Sequence, residues 1–349
     1  TGQDLVAWQI AVAAGEPLPL RQDEIELSGH AVEVRLYAED PRNNFLPQTG
    51  DVLAWEYPTN DGLRVDHGIA TGQEISPFYD PMIAKVIAWG ENREIACRRL
   101  ASALQDSVLL GVNNNKLFLQ NILRHPVFLD GGATTAFLAD HFSDDPSVAV
   151  TQPGESTLAL AAALFYQLAS SGEQGWDNPT AAGYYYRLGF DGGHFDIHLS
   201  QADGRYSLRL GEHEEELEIL DVGAVSCLVV QGGVRRSVSF ASDGNKLWLD
   251  DGSGHFSITN DTHLPASASA AAGSGEVLAS MDGAIVDVRV SAGDSVAAGQ
   301  TLVVLEAMKM EHPLKAAIDG VVGAVNTQVG DQVKSRQVLV SIAEEETGS

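Results

Sequence analysis

Residues 283–306 read GAIVDVRVSAGDSVAAGQTLVVLE, and residues 320–343 read GVVGAVNTQVGDQVKSRQVLVSIA. The second copy follows the first at an offset of 37 residues throughout. Gly293-Asp294 aligns with Gly330-Asp331, Val296 with Val333, Gln300 with Gln337 and Leu302 with Leu339. Two copies of a four-strand motif in residues 276–345 imply a flattened β-sandwich with an internal pseudo-two-fold axis. A domain this small has little room for a core, so it needs tight glycine turns. The link between the copies is VVLEAMKMEHP, residues 303–313. It places Lys309 at a hairpin tip between Met308 and Met310, two of the four methionines in the chain.

The region upstream of the repeat, residues 153–263, has a different pattern. STLALAAALFYQLAS (156–170) is a helix that is apolar nearly all round. Its core, Leu158 to Ala169, is too short to span a bilayer, so protein must wrap it. Eight short strand candidates follow, at 183–190, 194–199, 206–210, 215–220, 225–230, 234–240, 246–250 and 255–259. Turns such as DGG, ADG, QGG and SDG separate them, which are hairpin signals. In HFDIHL, Phe195, Ile197 and Leu199 alternate inward. Eight antiparallel strands with one greasy helix predict a barrel, or a strongly bent sheet, closed around that helix. LPASASAAAGSG (264–275) is then a flexible tether of small residues, with a reach of roughly 20 Å.

Residues 1–145 read as an α+β unit. In AVEVRLYA (31–38), Val32, Val34 and Leu36 share one face while Glu33, Arg35 and Tyr37 share the other. Further strands are predicted at 51–57 and 63–68, with a nearly continuous apolar strand, MIAKVIAW (82–89), at the centre. Asn92 is placed to cap a helix whose Ala96, Leu100, Ala103 and Ser107 share a face. A second helix is predicted near 114–123. An opening helix over Leu5–Ala14 puts Leu5, Trp8 and Val12 on one stripe and stops at Gly15. The start, TGQDLVAWQI, has neither a basic segment nor an initiator methionine, so the chain reads as a fragment.

The formal net charge is −27. That balance speaks against nucleic acid and against an anionic membrane surface as partners. It also means that any site for an anionic substrate must be local. Cys97 and Cys227 stand far apart in no CxxC pattern, as expected in a reducing compartment. No apolar run reaches the length of a membrane span. His194 and His198 share the outward face of one strand, but a metal needs more ligands, and no metal site is expected. HEEELEI (213–219) reads as a solvated strand edge.

The simplest reading of Lys309 is a solvated turn cation. An exposed lysine has a pKa near about 10.4 and is a poor nucleophile by itself. A tight turn does present it well to an enzyme that acylates it. Met308 and Met310 are soft and adaptable, suited to packing against a ligase or an attached cofactor. EAMKM between two half-repeats resembles the biotinyl carrier domain of biotin-dependent carboxylases. Lipoyl carriers share that fold, but their lysine typically follows Asp and precedes Ala, so Met-Lys-Met favours biotin. One departure is Ser280-Met281, where the family often has Pro-Met.

The first region agrees. GHAVEVRLYAEDP (29–41), NNFLPQTG (43–50), PFYDPMIAKVIAWGENRE (77–94) and GVNNNKLFLQNIL (111–123) resemble the C-terminal lobe of biotin carboxylase. The middle region resembles, more weakly, the barrel-with-helix domain that joins the subunits of acyl-CoA carboxylases. The resemblance implies a multidomain chain: an α+β biotin carboxylase C-terminal lobe, a helix-filled antiparallel barrel, and a biotinyl carrier. It implies covalent biotin on Lys309, with ATP and Mg used only by the intact subunit, whose ATP-grasp portion would precede Thr1. It implies a biotin protein ligase and a carboxyltransferase β subunit as partners, in an α–β hetero-oligomer. The compartment would be bacterial cytoplasm or mitochondrial matrix. Methylcrotonoyl-CoA is the expected substrate, with geranoyl-CoA, propionyl-CoA or a passive biotinyl or lipoyl carrier as alternatives.

By spacing alone, Arg35 is a surface ion-pair partner of Glu33. The resemblance makes it catalytic, holding bicarbonate or the biotin ureido oxygen as negative charge develops, a task suited to a permanently charged planar fork. For Tyr79-Asp80-Pro81 a tight turn into the next strand suffices, and for His30 a capping or packing role.

Overall fold

The computed structural model describes residues 1–149, 152–170, 183–202, 204–263, 275–308 and 310–343. The predicted 264–275 tether therefore falls almost entirely outside the described residues, as does Lys309.

In the first region, Met82–Gly90 is the central strand of a three-stranded antiparallel sheet, flanked by His30–Tyr37 and Leu63–His67. Val32, Val34, Val86 and Ala88 face a core closed by Leu100 and Leu104 of the Arg93–Asp106 helix. Asn92 caps that helix, its Oδ1 accepting from the Ile95 amide at 2.9 Å. The predicted 51–57 strand is divided. Gly50–Asp51 pairs with Glu74–Ile75, whereas Ala54–Glu56 pairs with Val108–Leu110. Two short helices, Pro126–Leu129 and Phe137–His141, follow the Lys116–Arg124 helix; aromatic edges among Phe118, Phe137 and Phe142 hold this end together. The opening helix forms over Leu5–Ala13, capped by Asp4, but buries none of its residues.

Eight strands from Tyr184–Phe190 to His255–Asn260 form a closed antiparallel barrel. Closure runs through Leu188↔Asn260 and Gly189↔Thr259. The Glu155–Ser170 helix fills it, with Leu158, Leu160 and Leu164 fully buried. Polar bonds tie the helix down: Thr157 Oγ1 donates to Asp251 at 2.6 Å, and Gln231 Nε2 donates to the Ser156 carbonyl at 2.8 Å. Asp191 and Gly192, at φ 47° and 78°, form the two-residue turn between the paired Phe190 and Gly193. The acidic His213–Val222 strand is not the edge its composition suggests. It is an interior strand, paired on both sides, with Arg205–Leu210 and Ser226–Gln231. His194 and His198 face outward, and His194 Nδ1 lies 3.3 Å from Asp261 Oδ2.

The barrel is anchored to the first region. Ala241 and Trp248 pack on Ala54, Val108 and Leu110. Lys116 Nζ lies 2.5 Å from Asp250 Oδ2 and donates to the Ser107 carbonyl at 2.7 Å, with both charged groups largely buried. Removing one partner of such a pair strands the other charge. Lys116→Ala is therefore expected to cost about 3–5 kcal/mol of unfolding free energy in denaturant titrations. The Lys116→Ala/Asp250→Ala double variant should lose less than the sum of the two single losses. Strict additivity would mean that the pair is not coupled.

The carrier region is a sandwich of two four-stranded sheets, and the repeat explains its symmetry. Gly293 N donates to Val322 O at 2.7 Å, and its counterpart Gly330 N donates to Ile285 O at 2.8 Å. Asp294 accepts from Ser291 N, as Asp331 accepts from Gln328 N. A Cβ on Gly283 would overlap the Glu306 carbonyl, and one on Gly320 would overlap the equivalent Ala343 carbonyl. Each aligned residue thus does the same structural job twice. Met281, at the departure from the family pattern, is buried in this core.

Candidate functional site

Two features lie near the sequence-predicted site residues: the hairpin tip and the polar face of the first sheet. The Thr301–Ala307 and Met310–Lys315 strands pair up to Ala307↔Met310, which leaves Met308 and Lys309 as the two connecting residues. Two-residue hairpin turns favour positive φ at the first connecting position, and Met308 has φ 50°. That backbone costs an L-residue about 1–2 kcal/mol. Met310 is half exposed.

Met308 turns away from its own domain. Its side chain is 5% exposed and joins a core of the first region that includes Leu36, Val52, Ile75 and Ile83. Its backbone N–H donates to the Pro77 carbonyl at 3.0 Å. Pro77 begins the Pro77–Asp80 loop, and Phe78 and Tyr79 beside it are each 75% exposed. Asp80 Oδ1 accepts from Met82 N at 2.9 Å and Pro81 O accepts from Ala38 N. Tyr79-Asp80-Pro81 is thus a turn that starts the central strand, as its simplest reading held.

Arg35 projects from the opposite face of its strand to Leu36. Its Nε lies 3.7 Å from Glu33 Oε1, with the arginine side chain 59% exposed. Directly across from it on the central strand is Lys85, which is flanked on the other side by Asp66. Asp66 is held by Arg64 at 2.8 Å, and that bond keeps its carboxyl below the usual aspartate range. Arg35, Lys85 and Arg64 against Glu33 and Asp66 make a local cationic face on an acidic chain. Such a face suits a small anion. Lys85 went unremarked in the sequence, although a lone cation inside an apolar strand was a signal. His30 is structural: Nε2 meets Arg93 at 3.1 Å, and Arg93 stacks on Phe128.

Residues 33–140 match the family described as biotin carboxylase C-terminal domain, and residues 273–342 the one described as biotin-requiring enzyme. The chain therefore joins a biotin carboxylase C-terminal domain to a biotin-requiring domain. Over most of its length it is similar to methylcrotonoyl-CoA carboxylase α subunits. It is 33% identical to the mitochondrial subunit of Arabidopsis thaliana, over 90% of this chain and 50% of the relative. It is 34% identical to that of Mus musculus, over 90% and 47%. The biotin carboxylase of Halalkalibacterium halodurans is 46% identical over 40% of this chain and 31% of that protein. The chain spans about half the length of the α subunits it matches. Among the described residues, no helix is long and apolar enough to cross a membrane.

Proposed function

We propose that the chain is part of an acyl-CoA carboxylase α subunit whose Lys309 carries covalent biotin. The carrying observation is that one chain joins a biotin carboxylase C-terminal domain to a biotin-requiring domain with Met-Lys-Met at its hairpin connection. Biotin supplies a ureido nitrogen that accepts CO2. The chain's own residues do the rest. The hairpin presents the lysine, Met308 and Met310 flank the attached group, and Arg35 stabilises negative charge at the carboxylating end. The intact subunit would use ATP, Mg and bicarbonate, and a carboxyltransferase β subunit would receive the CO2. Methylcrotonoyl-CoA is the proposed substrate, following the relatives' names, ahead of geranoyl-CoA and propionyl-CoA. The compartment would be the cytoplasm in a bacterium and the mitochondrial matrix in a eukaryote.

Co-expression with a biotin protein ligase tests the reading. Intact mass and a streptavidin blot should find one biotinyl group per folded chain. A folded chain with none would overturn the biotin reading, and lipoyl ligase would be the next enzyme to try.

A further inference from the structure

We propose that Asn115 is a positioning residue for Arg35, fixing from the free edge of the sheet the backbone that aims the guanidinium. The inference rests on the reading of Arg35 as the group that stabilises negative charge during carboxylation. Arg35 needs such help. Its strand, His30–Tyr37, is an outer strand of the sheet, with the ladder to Met82–Gly90 on one side only. That ladder slips by one residue between Leu36 and Tyr37, beside Arg35. The side chain supplies little restraint of its own, since its Nε contact to Glu33 is 3.7 Å long and exposed.

Asn115 supplies what the ladder lacks. It is 4% exposed and stands at the N-cap of the Lys116–Arg124 helix. Asparagine in that place ordinarily accepts a hydrogen bond from the amides of its own helix. Here its side chain makes no such bond, and the Lys116 amide donates to Asn114 Oδ1 at 3.1 Å instead. The Asn115 carboxamide is committed to Arg35's strand. Its Oδ1 accepts from the Tyr37 amide at 3.0 Å, and its Nδ2 donates to the Arg35 carbonyl at 3.3 Å. In a strand, the C=O of one residue and the N–H two residues on point to the same edge. The primary amide therefore takes the place of a neighbouring strand's peptide group. The Asn115 backbone N–H adds a bond to the Tyr37 carbonyl at 3.3 Å, and Nδ2 also donates to Glu39 Oε1 at 2.8 Å. The mount is firm as well. The next residue, Lys116, is fixed by Asp250 of the barrel and by the Ser107 carbonyl. A charge-stabilising group works when it is held in place before the charge develops, and Asn115 holds this one through its backbone.

A double-mutant cycle in a full-length subunit, supplied with free biotin, ATP and bicarbonate, tests this. Asn115→Ala should lower kcat for biotin carboxylation about tenfold or more, the scale of a slight misplacement of a catalytic group. Its KM for ATP should stay near wild type. The Arg35→Ala/Asn115→Ala protein should be no slower than Arg35→Ala alone, because Asn115 then has nothing left to position. Losses that multiply, or a KM for ATP that rises in step with the fall in kcat, would make Asn115 a general structural residue and overturn the inference. So would a folded Asn115→Ala protein with wild-type kcat beside a slow Arg35→Ala. Should the alanine variant fail to fold, Asn115→Asp takes its place in the cycle. It keeps the shape and the acceptor for the Tyr37 amide but loses both donors. Its loss in kcat should likewise vanish in the Arg35→Ala background, and a loss that persists there overturns the inference. Normal turnover in Arg35→Ala itself is a different result: it would sink the catalytic reading of Arg35, and this inference with it.

Discussion

Lys309→Arg is expected to leave the carrier folded and to reduce biotin incorporation to background. Arginine keeps the positive charge, so the local electrostatics hardly change. What it lacks is an acylable amine. Biotin transfer needs the lysine Nζ, as its free base, to form an amide with an activated acyl group, and a guanidinium protonated at all working pH values does not do this. The sandwich is held by Gly283 and Gly320 against the Glu306 and Ala343 carbonyls, by the paired Gly-Asp turns, and by the Ala307↔Met310 closure. Stability should therefore stay within about 0.5 kcal/mol of wild type, as for most surface changes. Intact mass after ligase co-expression, with a thermal melt, checks both halves of the expectation. Substantial biotin on the variant would move the acceptor to Lys315 or Lys334, the other lysines of the carrier, and the Met-Lys-Met argument would fail.

The ease of reading differs between the three regions for physical reasons. The carrier was legible because its symmetry is written twice: an aspartate that caps a turn at 294 must recur at 331 to cap the same turn. The barrel was legible because its turns are glycine-rich and its strands alternate. Closure was less so, since it depends on Gly189 reaching Thr259, a pairing between chain-distant segments that no local pattern encodes. The acidic strand looks like an edge because its charge dominates its pattern, yet hairpins to its two sequence neighbours make it an interior strand. In the first region, the 51–57 segment reads as one strand, but its two halves serve different partners, and only tertiary pairing decides that. The opening helix reads as amphipathic with Leu5, Trp8 and Val12 on one stripe, yet Leu5 and Val12 are 63% and 47% exposed and only Trp8 is half-buried. Met308 is the sharpest case. Composition flagged a methionine beside the lysine, but nothing local says that it packs with Leu36, Val52 and Ile83, more than two hundred residues earlier in the chain.

Arg35→Ala in a full-length subunit is expected to cut biotin carboxylation by about 10²–10³-fold, the scale of losing one preorganised donor to a developing oxyanion. The structure supplies the reason to separate this from stability. Arg35 pairs with Glu33 at 3.7 Å on an exposed face, an interaction worth about 0–1 kcal/mol. It also stands directly across the ladder from Lys85, and like charges in that register repel. Arg35 therefore contributes little to folding, and removing it should leave the melting temperature unchanged or slightly raised. A cation retained opposite another cation makes physical sense when an anion sits between them for part of the cycle. Arg35→Lys should fall between wild type and alanine, because it keeps the charge but loses the planar fork. Biotin loading on Lys309 should be the same in all three proteins, since the ligase meets the carrier and not the sheet. Normal turnover in Arg35→Ala, or a stability loss large enough to account for the defect, would return Arg35 to its simplest reading as half of a surface ion pair. The predicted combination, a stable protein loaded with biotin and stalled at carboxylation, is one that a structural role cannot produce.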